Sequence, residues 1–219
     1  MKRAAGLVAT AALITAWPPA RLAAQRVAVG PQLVIGDYRE VSADLRYQGT
    51  GVGAAATVRW KKFSADVAYA SVSFSASNES ASREDFTAKQ FDARVRYAVR
   101  GPVSVEAGVT NRTMDPEFAA QSMGAGRIGA RMSTAIGSAV QLGFRGNLLL
   151  GAKFSGGGEA PVGIELGLAI TGDFNNRFRI GAEYEFQRVD RTTATGPSGS
   201  SVDVPIQQSL LRLGAGLIF

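Results

Sequence analysis

The chain ends with the segment Arg212-Leu213-Gly214-Ala215-Gly216-Leu217-Ile218-Phe219. Every second side chain, counted from the residue before this segment to its end, is apolar: Leu211, Leu213, Ala215, Leu217 and Phe219. Three of the positions between them hold Arg212, Gly214 and Gly216. Because the side chains of a β-strand alternate between its two faces, this pattern predicts a terminal strand with one apolar face.

The terminal segment resembles the C-terminal signature of outer-membrane β-barrel proteins of diderm bacteria. The residues that carry the resemblance are Arg212, Gly214, Leu217 and Phe219. The resemblance implies that the barrel-assembly machinery recognises these residues and inserts the chain into the outer membrane. It also implies a closed antiparallel transmembrane barrel in contact with outer-membrane lipid, with both termini in the periplasm.

The first residues resemble a secretory signal peptide. Lys2 and Arg3 form a cationic start, residues 4–17 are apolar, and Ala23-Ala24 offers small residues for cleavage. Pro18-Pro19 interrupts the apolar stretch, whereas a membrane-spanning helix needs about 20 apolar residues. We predict that residues 1–24 are a cleaved signal peptide and that residues 25–219 form one outer-membrane β-barrel domain.

Together with the terminal segment, residues 25–219 contain ten stretches of period-two alternation. In one of them Ile164 and Leu166 alternate with Gly163, Glu165 and Gly167. A charge facing lipid at the middle of the membrane costs about 2–4 kcal/mol in such barrels, and the apolar faces of these stretches carry none centrally. The apolar faces are therefore predicted to contact lipid.

Ten strands are predicted, and eight remain the alternative. Pro31 has no amide hydrogen to donate within the first strand, and Leu148-Leu149-Leu150 blurs the alternation of the seventh. A soluble lipocalin-like barrel, with its apolar face turned inward, is the competing architecture. It explains neither the terminal segment nor the unequal connections.

The predicted connections alternate between short and long. The short turns fall at 61–62, 100–102, 135–137 and 173–176, and the long polar loops at 37–49, 75–87, 113–120, 153–160 and 189–204. In outer-membrane barrels short turns face the periplasm and long loops face outward.

Aromatic residues are predicted to form two girdles around the barrel. The periplasmic girdle comprises Trp60, Phe63, Tyr97, Phe174, Phe178 and Phe219, and the outer girdle comprises Tyr69, Phe74, Phe91, Tyr184 and Phe186.

The residue composition argues against catalysis. The sequence contains neither cysteine nor histidine, which removes disulfides, the commonest general base and the commonest transition-metal ligand. The enzymes of the small outer-membrane barrels, namely omptin-like proteases and lipid A deacylases and acyltransferases, resemble one another in using a histidine. We expect no enzymatic activity, no catalytic residue, no cofactor and no metal.

The net charge is +6, but the arginines are spread singly along alternating strands. Nucleic-acid binding favours a cationic cluster with stacking aromatic residues, so no nucleic-acid partner is expected.

The charged residues on the polar faces are predicted to line the lumen. The cations are Arg59, Arg94, Arg96, Arg112, Arg127, Arg131, Arg145, Arg177, Arg179 and Arg212, and the acids are Asp66, Asp92, Glu106, Glu165, Glu183 and Glu185. Charges inside a narrow barrel must be paired or hydrated. Two interpretations stay open: a salt-bridge plug, or a thin conduit that favours anions and is kept open by inward glycines such as Gly143 and Gly167.

These observations predict a non-enzymatic outer-membrane barrel with a structural or surface-interaction role. It is similar in kind to the small adhesion and membrane-integrity barrels, and exposed segments such as 75–80 and 192–201 would carry any contacts. The alternative is a narrow channel for small solutes, anions among them. The composition of the loops does not identify a protein partner.

Overall fold

The computed structural model describes residues 25–81, 84–194 and 201–219. The predicted signal peptide lies outside the described residues, and its cleavage stays a prediction. The described residues form ten β-strands and one 3-10 helix, Ala119–Gln121. The strands are β1 Gln25–Glu40, β2 Leu45–Trp60, β3 Phe63–Ala76, β4 Phe86–Arg100, β5 Val103–Asp115, β6 Met123–Ile136, β7 Val140–Phe154, β8 Glu159–Phe174, β9 Phe178–Ala194 and β10 Ser201–Ile218. No helix within the described ranges has the length and apolar character needed to cross a membrane.

The ten strands form a closed antiparallel barrel. Each strand pairs with its neighbours in sequence, and β1 pairs with β10 to close the sheet. The closing seam brings Leu33 opposite Leu213, and its pairing skips Gly30 and Pro31 before continuing in the same register. The prediction of ten strands is confirmed, and the eight-strand alternative is wrong.

The two ends of the barrel differ. The short-turn end carries the turns 61–62, 101–102, 137–139 and 175–177 together with the start of β1 and the end of β10. Residues in these turns, such as Lys61 and Gly101, adopt the positive φ that tight hairpins need. The loop end carries the connections 41–44, 77–85, 116–122, 155–158 and 195–200, of which 82–83 and 195–200 lie outside the described residues.

The predicted alternation of short and longer connections is confirmed, but the predicted bounds of the long loops are wrong. The loop expected at 37–49 shrinks to 41–44, because β1 continues to Glu40 and β2 begins at Leu45. The connection expected at 189–204 likewise shrinks to 195–200, because β9 and β10 extend beyond the apolar part of the barrel wall.

An apolar belt surrounds the outside of the barrel from the short-turn end to the level of Ile35 and Tyr184. All six aromatic residues predicted for the short-turn rim are exposed on it, and so are Tyr69, Phe91 and Tyr184 at its other edge. Phe186 is partly exposed there. Phe74 was wrongly assigned to this girdle: its side chain points into the barrel and is fully buried. An apolar exterior around charged inward positions is the arrangement of a membrane-spanning barrel.

Beyond the belt, the polarity of the two faces inverts. In β1, Leu33 and Ile35 face outward, but two residues later Asp37 and Arg39 do so while Tyr38 is completely buried inside. The loop-end part of the wall is therefore polar outside and apolar inside, as in a soluble barrel. This inversion explains the misplaced loop bounds, because a polar outward face resembles a loop in the sequence.

Candidate functional site

The interior of the barrel is the candidate site, and it consists of three layers. The successive inward positions of β4 pass through all of them, from Phe86 through Asp92 and Arg94 to Arg96. From the loop end these layers are an aromatic cluster (Tyr38, Tyr47, Phe74, Phe86 and Phe118), an ion network (Asp92, Arg94, Arg127, Arg145, Glu165, Glu183, Glu185 and Arg212) and an arginine chamber (Arg59, Asp66, Arg96, Arg131 and Arg179).

The aromatic cluster packs across the lumen at the loop end. The ring of Phe86 lies 4.9 Å from those of Phe74 and Phe118 and 5.1 Å from that of Tyr47, measured between centroids. Such stacked and edge-on pairs are stabilising beyond the area that they bury. Buried aliphatic side chains surround the rings, among them Val72, Met114, Leu149, Ile206 and Leu210.

A polar contact ties the connection 116–122 to the cluster. The hydroxyl of Tyr38 donates a hydrogen bond to the side-chain oxygen of Gln121, whose amide in turn donates to the carboxylate of Glu40. Ser122 accepts a hydrogen bond from the backbone amide of Met114 at 2.9 Å. These contacts hold Phe118 over the lumen, so the connection 116–122 closes the loop end of the barrel.

The ion network crosses the barrel below the cluster. Within the described residues, four guanidinium groups alternate with four carboxylates. Arg94 contacts Glu185 at 2.7 Å across the lumen, and Arg127 contacts Glu165 at 2.8 Å. Arg212 lies 3.1 Å from both Asp92 and Glu185.

Arg145 donates more hydrogen bonds to carboxylates than any other described cation of the network. Its Nε lies 3.0 Å from Glu165, and its two other nitrogens donate to Glu183 and Glu185. Seven of the eight side chains are nearly or completely buried, and that of Glu183 is 26% exposed towards the chamber. A buried charge is tolerated only with partners of this kind.

Side-chain amides donate further hydrogen bonds to the carboxylates of the network. Gln187 donates to Glu185 at 2.9 Å and to Glu165 at 3.2 Å, and Gln90 donates to Asp92 at 2.9 Å. Asn147 donates to Glu106 at 2.6 Å and to Glu165 at 2.9 Å. Sequence reasoning missed these amides. Their inward positions could have indicated them, because each lies two residues from a charged member of the network, namely Glu185, Asp92 or Arg145.

The inward glycines make room for arginine side chains and for close strand contacts. A Cβ atom at Gly167 would lie 2.7 Å from atoms of Arg145, and one at Gly143 would lie 2.7 Å from Arg131. A Cβ atom at Gly51 would lie 1.9 Å from the backbone oxygen of Ser71 in the paired strand. The space that these three glycines leave is therefore occupied.

The arginine chamber lies at the short-turn end and encloses a cavity of about 150 Å³. Arg96 contacts Asp66 at 2.6 Å, and Arg179 contacts Asp173 at 2.7 and 2.9 Å. Arg131 donates to the hydroxyl of Ser133 at 3.2 Å. The arginine excess predicted for the whole lumen is thus concentrated in this chamber.

The structure divides the lumen residues predicted from the sequence. It brings Asp92, Arg94, Arg127, Arg145, Glu165, Glu183, Glu185 and Arg212 into one network, and it places Arg96, Arg131 and Arg179 in the chamber. Glu106 is buried but bonded to Asn147 and not to an arginine in the described chain. Arg177 was wrongly placed in the lumen, because it lies exposed in the turn 175–177.

The residues of the terminal signature occupy different environments. The side chain of Arg212 belongs to the ion network and Gly214 lines the chamber, whereas Leu217 and Phe219 point outward. Phe219 closes the seam through two backbone hydrogen bonds with Val27, of 2.8 and 3.1 Å, while its side chain is 75% exposed.

No protein-family model matches the sequence, and no curated protein matches it. Among solved structures, the chain is similar to the outer-membrane protease OmpT of Escherichia coli, with 10% identity, a TM-score of 0.48 and coverage of 90% of this chain and 96% of OmpT. It is similar to the attachment invasion locus protein Ail of Yersinia pestis (12% identity, TM-score 0.43, 90% and 99% covered). It is also similar to an outer-membrane channel from Pseudomonas putida F1 (11% identity, TM-score 0.45, 90% and 95% covered). These likenesses concern the barrel fold alone, and no activity passes from these proteins to this chain through them.

Proposed function

We propose that this protein is a non-enzymatic outer-membrane barrel with a closed interior and a structural or surface-interaction role. The single observation that carries the proposal is the packing of the lumen. Buried rings fill its loop end, and paired charges cross its middle. A solute would have to break both layers to pass.

The proposed orientation places the short-turn end and both termini in the periplasm. Short turns on the periplasmic side are the rule for bacterial outer-membrane barrels. The signal peptide would direct export, and Arg212, Gly214, Leu217 and Phe219 would then serve recognition by the barrel-assembly machinery. Outer-membrane lipid would surround the apolar belt.

The proposed interaction surface is the loop end of the wall. Outward residues such as Asp37, Arg46 and Asp190 extend the strands beyond the belt with polar side chains. Of the segments that the sequence offered for contacts, 75–80 is described and lies at this end, and 192–201 lies partly outside the described residues. The aromatic cluster would keep this surface rigid for contact with a protein partner.

A non-enzymatic role is supported by the bonding of the acids. Glu183 and Glu185, the carboxylates best placed for acid/base work, both accept hydrogen bonds from Arg145. A carboxylate held this way has its lone pairs engaged in charge-assisted hydrogen bonds, which suits a structural role.

The alternative, a narrow channel for small solutes with anions among them, draws support from the arginine chamber alone. Conductance across a planar lipid bilayer distinguishes the two functions. We expect current close to the lipid baseline, with a general porin in the same bilayer as the positive control. Protease protection of the reconstituted barrel would verify insertion. Ohmic, anion-selective current through the wild-type protein would overturn the closed interior in favour of the channel.

A further inference from the structure

The arginine chamber carries more positive charge than its acids balance. Six arginines line its cavity: Arg59, Arg94, Arg96, Arg131, Arg179 and Arg212. Four of these have carboxylate partners, in the ion network or at Asp66 and Asp173. Within the described part of the chain, Arg59 and Arg131 have no carboxylate within ion-pair distance. The positive charges of Arg59 and Arg131 therefore face the cavity without a carboxylate to compensate them.

The shape of the chamber fits a small ligand that enters from one side. Arg59 and Arg179 each lie one residue from the short-turn end of their strands, and the ion network forms the opposite wall. Small residues on the remaining wall, such as Ala55, Gly181 and Gly214, leave the cavity open. Its volume of about 150 Å³ is roughly ten times what one water needs.

We propose that the arginine chamber binds a small oxyanion, a phosphate or phosphate monoester, which enters from the short-turn end. Guanidinium groups match the oxygens of such a group through forked, charge-assisted hydrogen bonds. The anion would supply the negative charge that Arg59 and Arg131 lack among their neighbours. This inference goes beyond the proposed function, because it assigns a ligand and does not depend on conductance.

Calorimetric titration with inorganic phosphate tests the site. The folded protein is kept in neutral detergent micelles, and chloride holds the ionic strength constant. We expect Arg59→Gln and Arg131→Gln each to weaken binding about tenfold, the effect of losing one charge-assisted bond. Arg188→Gln is the matched control, because Arg188 lies at the loop end and pairs with Asp190 at 3.2 Å. Its affinity for phosphate should equal that of the wild type.

A thermal measurement separates binding from a structural role. Without phosphate, Arg59→Gln should melt at or above the wild-type temperature, because it removes a cation from among Arg96 and Arg179. With phosphate, the wild type should gain clearly more stability than Arg59→Gln, whose affinity is about tenfold lower. Phosphate also stabilises proteins through exclusion from their surface, which would raise both proteins equally. An equal rise, or no heat of binding to the wild type, overturns the proposal.

The phosphate group could belong to a free solute or to a lipid headgroup at the rim, and nanodiscs distinguish the two sources. Phosphatidic acid, an anionic lipid whose headgroup is a phosphate monoester, would compete with inorganic phosphate only if a headgroup reaches the chamber, whereas phosphatidylcholine, a zwitterionic phosphodiester, serves as the reference. Competition that depends on Arg59 identifies a lipid source, and equal phosphate affinity in both lipids identifies a soluble one. Both results support the arginine site, and a wild type that binds phosphate in neither lipid overturns it.

Discussion

At the residue scale, Gly167 positions a charge by lacking a side chain. Arg145 lies against the backbone of Gly167 and from there reaches Glu165, Glu183 and Glu185. The alternation of β8 predicted from the sequence that Gly167 faces inward. The alternation could not indicate which side chain fills the space beside Gly167, because the identity of that side chain depends on the register between β7 and β8. This register brings Arg145 directly opposite Gly167.

We expect Gly167→Ala to lower the free energy of unfolding by about 1–3 kcal/mol, the usual cost of overpacking. The added methyl group would displace Arg145 from its carboxylate partners. Gly146→Ala is the control, because the nearest atom to its added Cβ, in Leu166, lies 3.9 Å away. Urea titration of both variants refolded into liposomes measures the difference. Equal stability of the two would contradict this account.

The ion network predicts that Glu185→Ala and Glu183→Ala, at neighbouring inward positions, both lower the free energy of unfolding. The loss should be larger for Glu185→Ala. Glu185 is 1% exposed and contacts Arg94, Arg145 and Arg212, so Glu185→Ala should cost about 3–5 kcal/mol, as for other buried pairs that lose one partner. Glu183→Ala should cost clearly less, because that side chain is 26% exposed and water in the chamber can hydrate its partners. The same urea titration measures both. A Glu183→Ala variant as unstable as Glu185→Ala would show that the chamber is dry.

At the element scale, alternation predicted the strands well and their lengths poorly. The outward residues of β8, from Val162 to Ile170, were assigned correctly, because lipid imposes one polarity on that face. Phe74 and the loop expected at 37–49 were misplaced, because the wall leaves the lipid and its outward face becomes polar. When the apolar face turns from outward to inward within one strand, the alternation is interrupted, and the sequence then predicts that the strand ends there.

β3 crosses this boundary and allows a direct test. Val67 and Ser73 both face outward, but Val67 lies in the apolar belt and Ser73 beyond it. Val67→Arg should lower stability by about 2–4 kcal/mol, the cost of a cation near the bilayer centre. Ser73→Arg adds the same charge to the same face and should be nearly neutral. Refolding yield and urea stability in liposomes measure the effect of each substitution. If Val67→Arg were as stable as the wild type, the belt would not be in contact with lipid.

At the scale of the whole molecule, insertion and final stability are predicted to depend on Phe219 differently. Its backbone closes the seam with Val27, but its side chain is largely exposed at the rim. Phe219→Ala keeps the backbone bonds, so refolding and stability in detergent should change little. The amount of folded protein in the outer membrane should fall sharply, because the variant lacks the terminal aromatic residue of the signature.

Phe178→Ala is the matched control for this prediction. Phe178 is an outward aromatic residue at the same rim and pairs with Leu217, but it does not belong to the signature. Immunoblots of outer-membrane fractions compare the two variants. Equal cellular amounts of Phe219→Ala and wild-type protein would contradict the role of the signature in assembly.

The inversion of polarity along the wall also determines the heat capacity of unfolding. Apolar surface raises the heat capacity only when it becomes exposed to water. The side chains of the belt face hydrocarbon in the folded state, and they keep facing it when only the loop end opens. The side chains of the aromatic cluster, by contrast, are dry in the folded barrel and would be wetted when the loop end opens. A calorimetric scan of this protein in lipid should therefore record mainly the melting of its loop end.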